Sequence, residues 1–331
     1  MNLSLSSRSL RTLRLCVKIF FGFSLAVLLT EAQADTYPTK PIRLVIPFAA
    51  GSATDSAGRV IAQALSARLG QSVIVDNRAG ANGQIAAVNV AQSKPDGYTI
   101  FMTTNSTHGA NSFLYRSLAY DPMKDFDPVV RIGTLPFMLV VHPDVPAKNM
   151  REFLDYAREN SGKLSYGTSN TTSLVCAEML NVTAQAGLVG VSYKSSQQAI
   201  LDLVAGRLHV MIADFAIAMP QVKAGKLRAL AVTPAKGSRL VPDVPPLART
   251  LPDLDVTSWN GLFVPAGTPR EIIDRIETET LALLAQPEIA GNLATIGYEV
   301  DPMGRAQFSR YVPEQIARWG TLIRAANIQP E

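Results

Sequence analysis

From Ile42 onward, short apolar runs alternate with longer segments whose apolar residues recur on one helical face. This alternation restricts the chain to sheets with helices on their faces. Residues 42–48 read as a buried strand, and residues 55–69 carry Ala57, Val60, Ile61, Ala64, Leu65 and Leu69 at one-face spacing until Gly70 stops the helix. Strands are predicted at 72–75 and 98–103, with a helix at 84–91 and the turn Pro95-Asp96-Gly97 between them. The middle of the chain repeats the scheme. Strands fall at 137–142, 164–167, 189–193, 210–212 and 227–232, and helices at 150–159, 173–184 and 197–204. A proline-rich irregular stretch, 234–255, leads to a strand at 261–264, a long helix after Pro269 and a last helix ending near Ala326. In that last helix Phe308, Val312, Ile316, Trp319 and Ile323 share a face, and Pro313 is expected to kink or restart it.

The first residues bear on compartment. Arg8, Arg11, Arg14 and Lys18 precede an uncharged apolar run at 19–30, about twelve residues and too short to span a bilayer of roughly 30 Å as a helix. Ala32-Gln33-Ala34 follows with small residues at the two positions a signal peptidase reads. The expectation is a secretory signal over 1–34, cleaved between Ala34 and Asp35, and a periplasmic protein; an uncleaved anchor is the alternative. Cys16 lies before the apolar run, the wrong place for a lipid-anchored cysteine, and its removal leaves Cys176 alone, so no internal disulfide is expected.

The segment 1–34 also carries four of the 31 basic residues and one of the 27 acids, which leaves 27 against 26. A balance near neutrality gives no reason to expect nucleic acid or an anionic membrane as partner. A mature chain of 297 residues usually divides into two domains. The expected division is 35–133 with 259–331 as one domain and 134–258 as the other, with crossings near Gly133 and Trp259.

Chemistry is sparse. His108, His142 and His209 are the three histidines and share no metal-ligand spacing; with one cysteine left, no metal site is expected. No nucleophile elbow, Walker loop or Gly-x-Gly-x-x-Gly fingerprint occurs, so neither a catalytic residue nor a cofactor is predicted.

Three loops instead look built to hold a ligand, each at the end of a strand, where open α/β sheets bind ligands. Pro47-Phe48-Ala49-Ala50-Gly51-Ser52-Ala53-Thr54-Asp55 runs from the first strand into a helix, whose unpaired N–H groups and dipole suit a carboxylate or phosphate. The plainer reading of its end is a helix capped by Thr54 or Asp55. Tyr166-Gly167-Thr168-Ser169-Asn170-Thr171-Thr172-Ser173 either caps the next helix several times over or lines a polar pocket. Thr103-Thr104-Asn105-Ser106-Thr107-His108 closes the third strand. A cleft between two domains, faced by helix starts from both, follows from this arrangement.

A family resemblance runs through the same residues. The opening at 41–51 with Asp55 and Arg59 looks like that of the Bug family, the substrate-binding proteins of tripartite tricarboxylate transporters. Asn77-Arg78-Ala79-Gly80-Ala81-Asn82-Gly83 and Pro95-Asp96-Gly97-Tyr98-Thr99 are similar to its next motifs. So are Tyr120-Asp121-Pro122 with Asp125-Phe126, Tyr193-Lys194, residues 224–232 and Pro242-Asp243-Val244-Pro245. The resemblance implies a type II periplasmic binding fold, two α/β domains closing on a ligand carboxylate. The ligand-binding residues it implies are Phe48, Ala49, Ala50, Gly51, Ser52, Thr54 and Asp55, then Asn105, Ser106 and Thr107, then Ser169, Asn170, Thr171, Thr172 and Ser173. Tyr193 and Asp214 complete the expected set. The implied ligand is a di- or tricarboxylate, an acidic amino acid or an aromatic acid. The implied partners are membrane permease subunits or, alternatively, a sensor kinase; a monomer is expected.

The sequence departs from the family at Ser52, Asn170, Thr172 and Ser195, where glycine or small residues are usual, and at His209, usually acidic. Lost glycines narrow a site, so a tighter, more polar pocket suited to a small or hydroxylated acid is expected. Lys194 either pairs a second carboxylate or is solvated.

Overall fold

Ile42, Leu44, Val45 and Ile46 are fully buried in β1 (Ile42–Ile46), the strand on which the first lobe is organised, in a computed structural model that describes residues 37–331. The expected signal and its cleavage site lie outside the described residues. Among the described residues no helix is long and apolar enough to cross a membrane.

β1 pairs in parallel with β2 (Val73–Asn77) and β3 (Thr99–Thr104). Beyond β3 the sheet turns antiparallel, through β10 (Ser258–Pro265), β4 (Phe126–Leu135) and β11 (Glu299–Met303). The order is β11-β4-β10-β3-β1-β2. A second sheet has the order β7-β6-β8-β5-β9, from β5 (Phe137–Val141), β6 (Ser165–Thr168), β7 (Val189–Ser192), β8 (Val210–Asp214) and β9 (Arg228–Val232). In it β7, β6 and β8 are parallel and β5 runs antiparallel to both β8 and β9. The chain is therefore mixed α/β with two sheets, each parallel only in part. It passes from the first sheet to the second at Pro136, between β4 and β5, and returns between β9 and β10.

The helices follow their apolar stripes. α1 (Ala53–Leu69) buries Ala57, Ile61, Leu65 and Leu69, and Gly58 lets it lie flush on β1, since a Cβ there would stand 2.3 Å from Ile46 Cδ1. Gly70 ends it at φ 69°, its N–H on Ser66 O. After α2 (Gln84–Ala91), a π-helical turn at Ser106–Ala110 runs into the short α3 (Asn111–Leu114). The second lobe carries α4 (Met150–Glu159), α5 (Thr171–Ala184), α6 (Ser196–Val204) and α7 (Phe215–Lys223). The chain closes with α8 (Arg270–Leu284), α9 (Pro287–Thr295) and α10 (Arg305–Ala325).

One expectation is corrected. Pro313 does not restart the last helix; α10 runs through it as one helix. An interior proline costs about 3 kcal/mol, whereas each large apolar side chain taken out of water returns roughly 1.5–3 kcal/mol. Phe308, Val312, Trp319 and Ile323 are all buried, so burial wins. The stretch 234–255 is irregular, as expected, and it is anchored: Val241, Leu247, Leu251 and Leu254 are buried, and Val232 N–H donates to Pro245 O. The pattern does not anticipate β4, α7 or β11.

Candidate functional site

The loop after β1 is fixed by a helix cap and by the Asp55 carboxylate. Ser52 is the N-cap of α1, with extended φ −69° and ψ 159°, and its Oγ accepts from Asp55 N at 3.2 Å. Asp55, at the third helical position, reaches back past the cap to accept from Gly51 N at 2.8 Å, while the Ser52 amide donates to Ala49 O at 3.2 Å. The cap is thus Ser52 and neither Thr54 nor Asp55. The remaining Asp55 contacts are Arg59 Nε at 3.1 Å and Asn77 Nδ2 at 2.9 Å, and Asn77 Nδ2 also donates to Phe48 O at 3.0 Å. Burial pushes the Asp55 carboxyl up, but the bonds from Arg59, Gly51 and Asn77 together outweigh it and hold the pKa below the ordinary value. Asp55 anchors the loop from beneath.

The loop after β6 is built the same way. Asn170 caps α5 from extended backbone, its Oδ1 accepting from Ser173 N at 2.9 Å. Ser173 Oγ donates to Asn170 O at 2.9 Å and lies 2.8 Å from Thr168 Oγ1. In both helices the cap takes the third amide, so the first two, Ala53 and Thr54 in α1 and Thr171 and Thr172 in α5, have no intrahelical acceptor. A third start, that of α6, is capped by Ser195, whose Oγ accepts from Gln198 N at 3.3 Å.

These loops surround a cavity of about 900 Å³, counting its open mouth, lined from both sheets. From the first sheet's side come residues 48–54 with Ser56, Thr104, Ser106, Leu135 and Ser258. From the second come Phe137, Ser169, Asn170, Thr172, residues 194–197, Asp214, Ala216 and Ile217. Of the expected ligand-binding residues, Phe48, Ala49, Ala50, Gly51, Ser52, Thr54, Ser106, Ser169, Asn170, Thr172 and Asp214 reach the cavity wall. The others stand behind it or to one side. Asn105 is buried, donating to Thr172 Oγ1 at 3.3 Å and accepting from Ser258 Oγ at 2.7 Å. Thr171 Oγ1 accepts from Asn82 Nδ2 at 2.6 Å. Thr107 is buried beside His108, 3.0 Å from its Nδ1, and Ser173 is held by its own cap. Tyr193 lines an adjacent groove with Asn82, Ser169 and Gln329, and its hydroxyl donates to Asp202 Oδ2 at 2.8 Å.

Leu135, Phe137, Ser196, Gln197, Ile217 and Ser258 line the cavity without having been singled out from the sequence. Ser196 had a readable signal: hydroxyl residues between a strand and a helix, as after β1 and β6. Leu135 and Ser258 had none, since they enter through the crossings between sheets. Gln197 Nε2 reaches Gly51 O at 3.1 Å, bringing the α6 start against the β1 loop.

Among the described residues, charge in the cavity is confined to an exposed lysine, Lys194, and to Asp214. Asp214 keeps part of its surface open to the cavity but is enclosed by protein. Burial raises its pKa, against opposing hydrogen bonds from Ser196 and its own amide. His108 stacks on Phe263 at 4.0 Å between rings, and burial lowers its pKa to about 3, so it stays neutral. Among the described residues no group of three or more histidine, cysteine or carboxylate side chains is placed to hold a metal ion. Helix starts converging from two lobes on a mostly uncharged cavity make an anion-binding arrangement.

Comparison with known proteins agrees with this architecture. The family described as tripartite tricarboxylate transporter family receptor matches residues 57–328. A UPF0065 protein of Bordetella bronchiseptica is 34% identical over 306 residues, covering 92% of this chain and 91% of the relative. Among solved structures, R. palustris Rpa4515 with adipate is 35% identical at TM-score 0.84, covering 89% of this chain and 100% of its own. The periplasmic binding protein BugD is 28% identical at TM-score 0.81, with 89% and 100% covered. MatC from Rhodopseudomonas palustris with bound malate is 31% identical at TM-score 0.78, with 87% and 100% covered.

Proposed function

The chain belongs to the tripartite tricarboxylate transporter receptor family, and on that premise we propose that it captures a small carboxylate between its two lobes in the periplasm and presents it to membrane permease subunits. One observation carries the reading. α1 and α5 begin on opposite sides of the same cavity, each with an N-cap side chain on its third amide and its first two amides left over. Each helix start contributes roughly half a positive charge, so two together hold a carboxylate with little help from lysine or arginine. Because the two starts belong to different lobes, a bound anion favours the arrangement in which both touch it, and closure around the ligand is the state a membrane partner can read. The ligands named with Rpa4515 and MatC, adipate and malate, support a small acid as the guest. The apolar run and small-residue site at the start of the sequence support export.

The test is a thermal-shift screen of residues 35–331, unfolded and refolded first to strip any ligand carried through purification. Mono-, di- and tricarboxylates, amino acids and aromatic acids form the panel. A true ligand at a hundred times its dissociation constant adds about 2.7 kcal/mol, a shift on the order of a few degrees for a chain of this size. A shift confined to one class of acid is expected. Folded protein that no acid shifts overturns the reading.

A further inference from the structure

A side chain crosses the mouth of the cavity. Gln197, on the first turn of α6, donates from Nε2 to Gly51 O at 3.1 Å, which bonds the second lobe to the loop after β1 in the first. Both residues line the cavity and both are exposed, so the bond lies on the open side. Its direction is fixed, because a carbonyl oxygen only accepts and the Gln197 amide nitrogen donates.

Each partner is held in place by its own lobe. Gly51 is the third residue of the turn that Ser52 N closes on Ala49 O, and it takes φ 82°, which glycine adopts without strain. Its amide nitrogen is bound within the first lobe, by Asp55, and its carbonyl oxygen is taken by the second. On the other side Ser195 caps α6 and fixes where that helix starts, with Gln197 as its second residue. Side chains lean toward the N-terminus of their helix, so that of Gln197 projects past the helix start and over the mouth. When the lobes part, water takes both the Gln197 amide and the Gly51 oxygen. The bond therefore adds little to the folding of either lobe and acts on the ratio of closed to open forms. A neutral hydrogen bond made in exchange for water changes such a ratio by about two- to tenfold.

We propose that Gln197 is a latch that closes on Gly51 once a ligand has entered and sets how long any bound acid is retained. This rests on the receptor reading and deepens it. Entry precedes the latch, so the association rate does not feel it, whereas release must break it. Because the bond joins protein to protein, its effect is the same whichever acid is enclosed.

Two measurements on refolded residues 35–331 test it, each comparing wild type with Gln197→Ala. The first follows release of radiolabelled malate and adipate into an excess of unlabelled acid, with equilibrium dialysis giving the association rate from the ratio. Release is expected to quicken about two- to tenfold, by the same factor for both acids, at an unchanged association rate. The second needs no ligand: spin labels at Gln63→Cys on α1 and Leu201→Cys on α6, both exposed positions, read the separation of the lobes, while buried Cys176 stays unlabelled. Gln197→Ala is expected to shift the distances toward the open form, with the thermal midpoint of the ligand-free protein unchanged. Unaltered release overturns the latch and leaves the receptor reading standing, and so does an effect carried by association alone. A factor found with one acid and absent with the other marks a direct ligand contact and overturns it too, as do label distances that do not move. Where folded wild type binds neither acid, the label distances decide the latch, and that failure counts against the receptor reading.

Discussion

Asn82 donates its side-chain amide to Thr171 Oγ1 at 2.6 Å, from a backbone held in the left-handed region at φ 49° and ψ 40°. Asparagine is among the few residues with a side chain that visit this region readily. The same amide donates to Asn111 Oδ1 at 2.8 Å. Asn111 Nδ2 returns a bond to Asn82 O at 3.1 Å and another to the Tyr120 hydroxyl at 3.2 Å. Tyr120 in turn donates to Thr107 O at 2.9 Å. The segment around Asn82 thus ties the first lobe to the first residue of α5 in the second. This is a contact that ligand-driven closure would depend on.

Thr171→Val keeps the shape of that residue and removes its acceptor. Net loss of one such bond costs about 0.5–1.5 kcal/mol, so affinity for the ligand is expected to fall roughly two- to tenfold. Calorimetric titration measures it. Wild-type affinity in the variant contradicts a role for the tie in closure.

Asp55 makes stability depend on acid in a stated direction. Its folded pKa is depressed, so its contribution is whole above the ordinary value of 3.8 and is lost as pH falls below it. Asp55→Asn is therefore expected to cost about 1–3 kcal/mol at neutral pH. The gap between wild type and variant should close in the acid range below 3.8. Urea unfolding of both proteins across pH reads it; a gap that widens on acidification goes against the anchoring role.

Gly133 lies where β4 passes the edge strand. A Cβ there would stand 2.2 Å from the Glu299 carbonyl oxygen and 3.1 Å from Asp301 N, both backbone atoms that cannot swing away. Gly133→Ala should push β11 off β4 at a cost of about 2–4 kcal/mol. A urea midpoint within error of wild type would show that the edge yields freely.

Cys176 is fully buried in α5, and burial pushes its thiol up to about 12 from 9.0. Three units leave roughly a thousandfold less thiolate at neutral pH. Refolded residues 35–331 should resist a thiol reagent when native and react once in denaturant. Rapid labelling of the native protein would mean that α5 opens far more readily than its packing implies.

The first lobe's opening is legible because each step has a local cause. The apolar run of β1, the small residues after it and the single apolar face of α1 all lie within about thirty residues of one another. Even there the cap is read a few residues too late: Ser52 caps, and Asp55, at the third position, accepts from Gly51 N. β4 escapes notice because Arg131 sits in its middle. That arginine is 3% exposed, paired with Asp301 on β11 and lying 4.8 Å from the Tyr311 ring. Those partners are far along the chain, so no local pattern announces that the charge is compensated. The cavity shows the same division. Loops that follow strands into helices could be found from order alone. Ser258 beside Asn105 and Gln197 against Gly51 are set 153 and 146 residues apart and meet only once the crossings have brought the two sheets together.

The most direct measurement is a crystal structure of residues 35–331 with the acid that gives the largest thermal shift. A ligand carboxylate is expected between α1 and α5, its oxygens about 3 Å from first-turn amides of both helices, directly or through one ordered water. A ligand lodged instead in the groove beside Tyr193 and Gln329, or touching one lobe only, would contradict capture between the two helix starts.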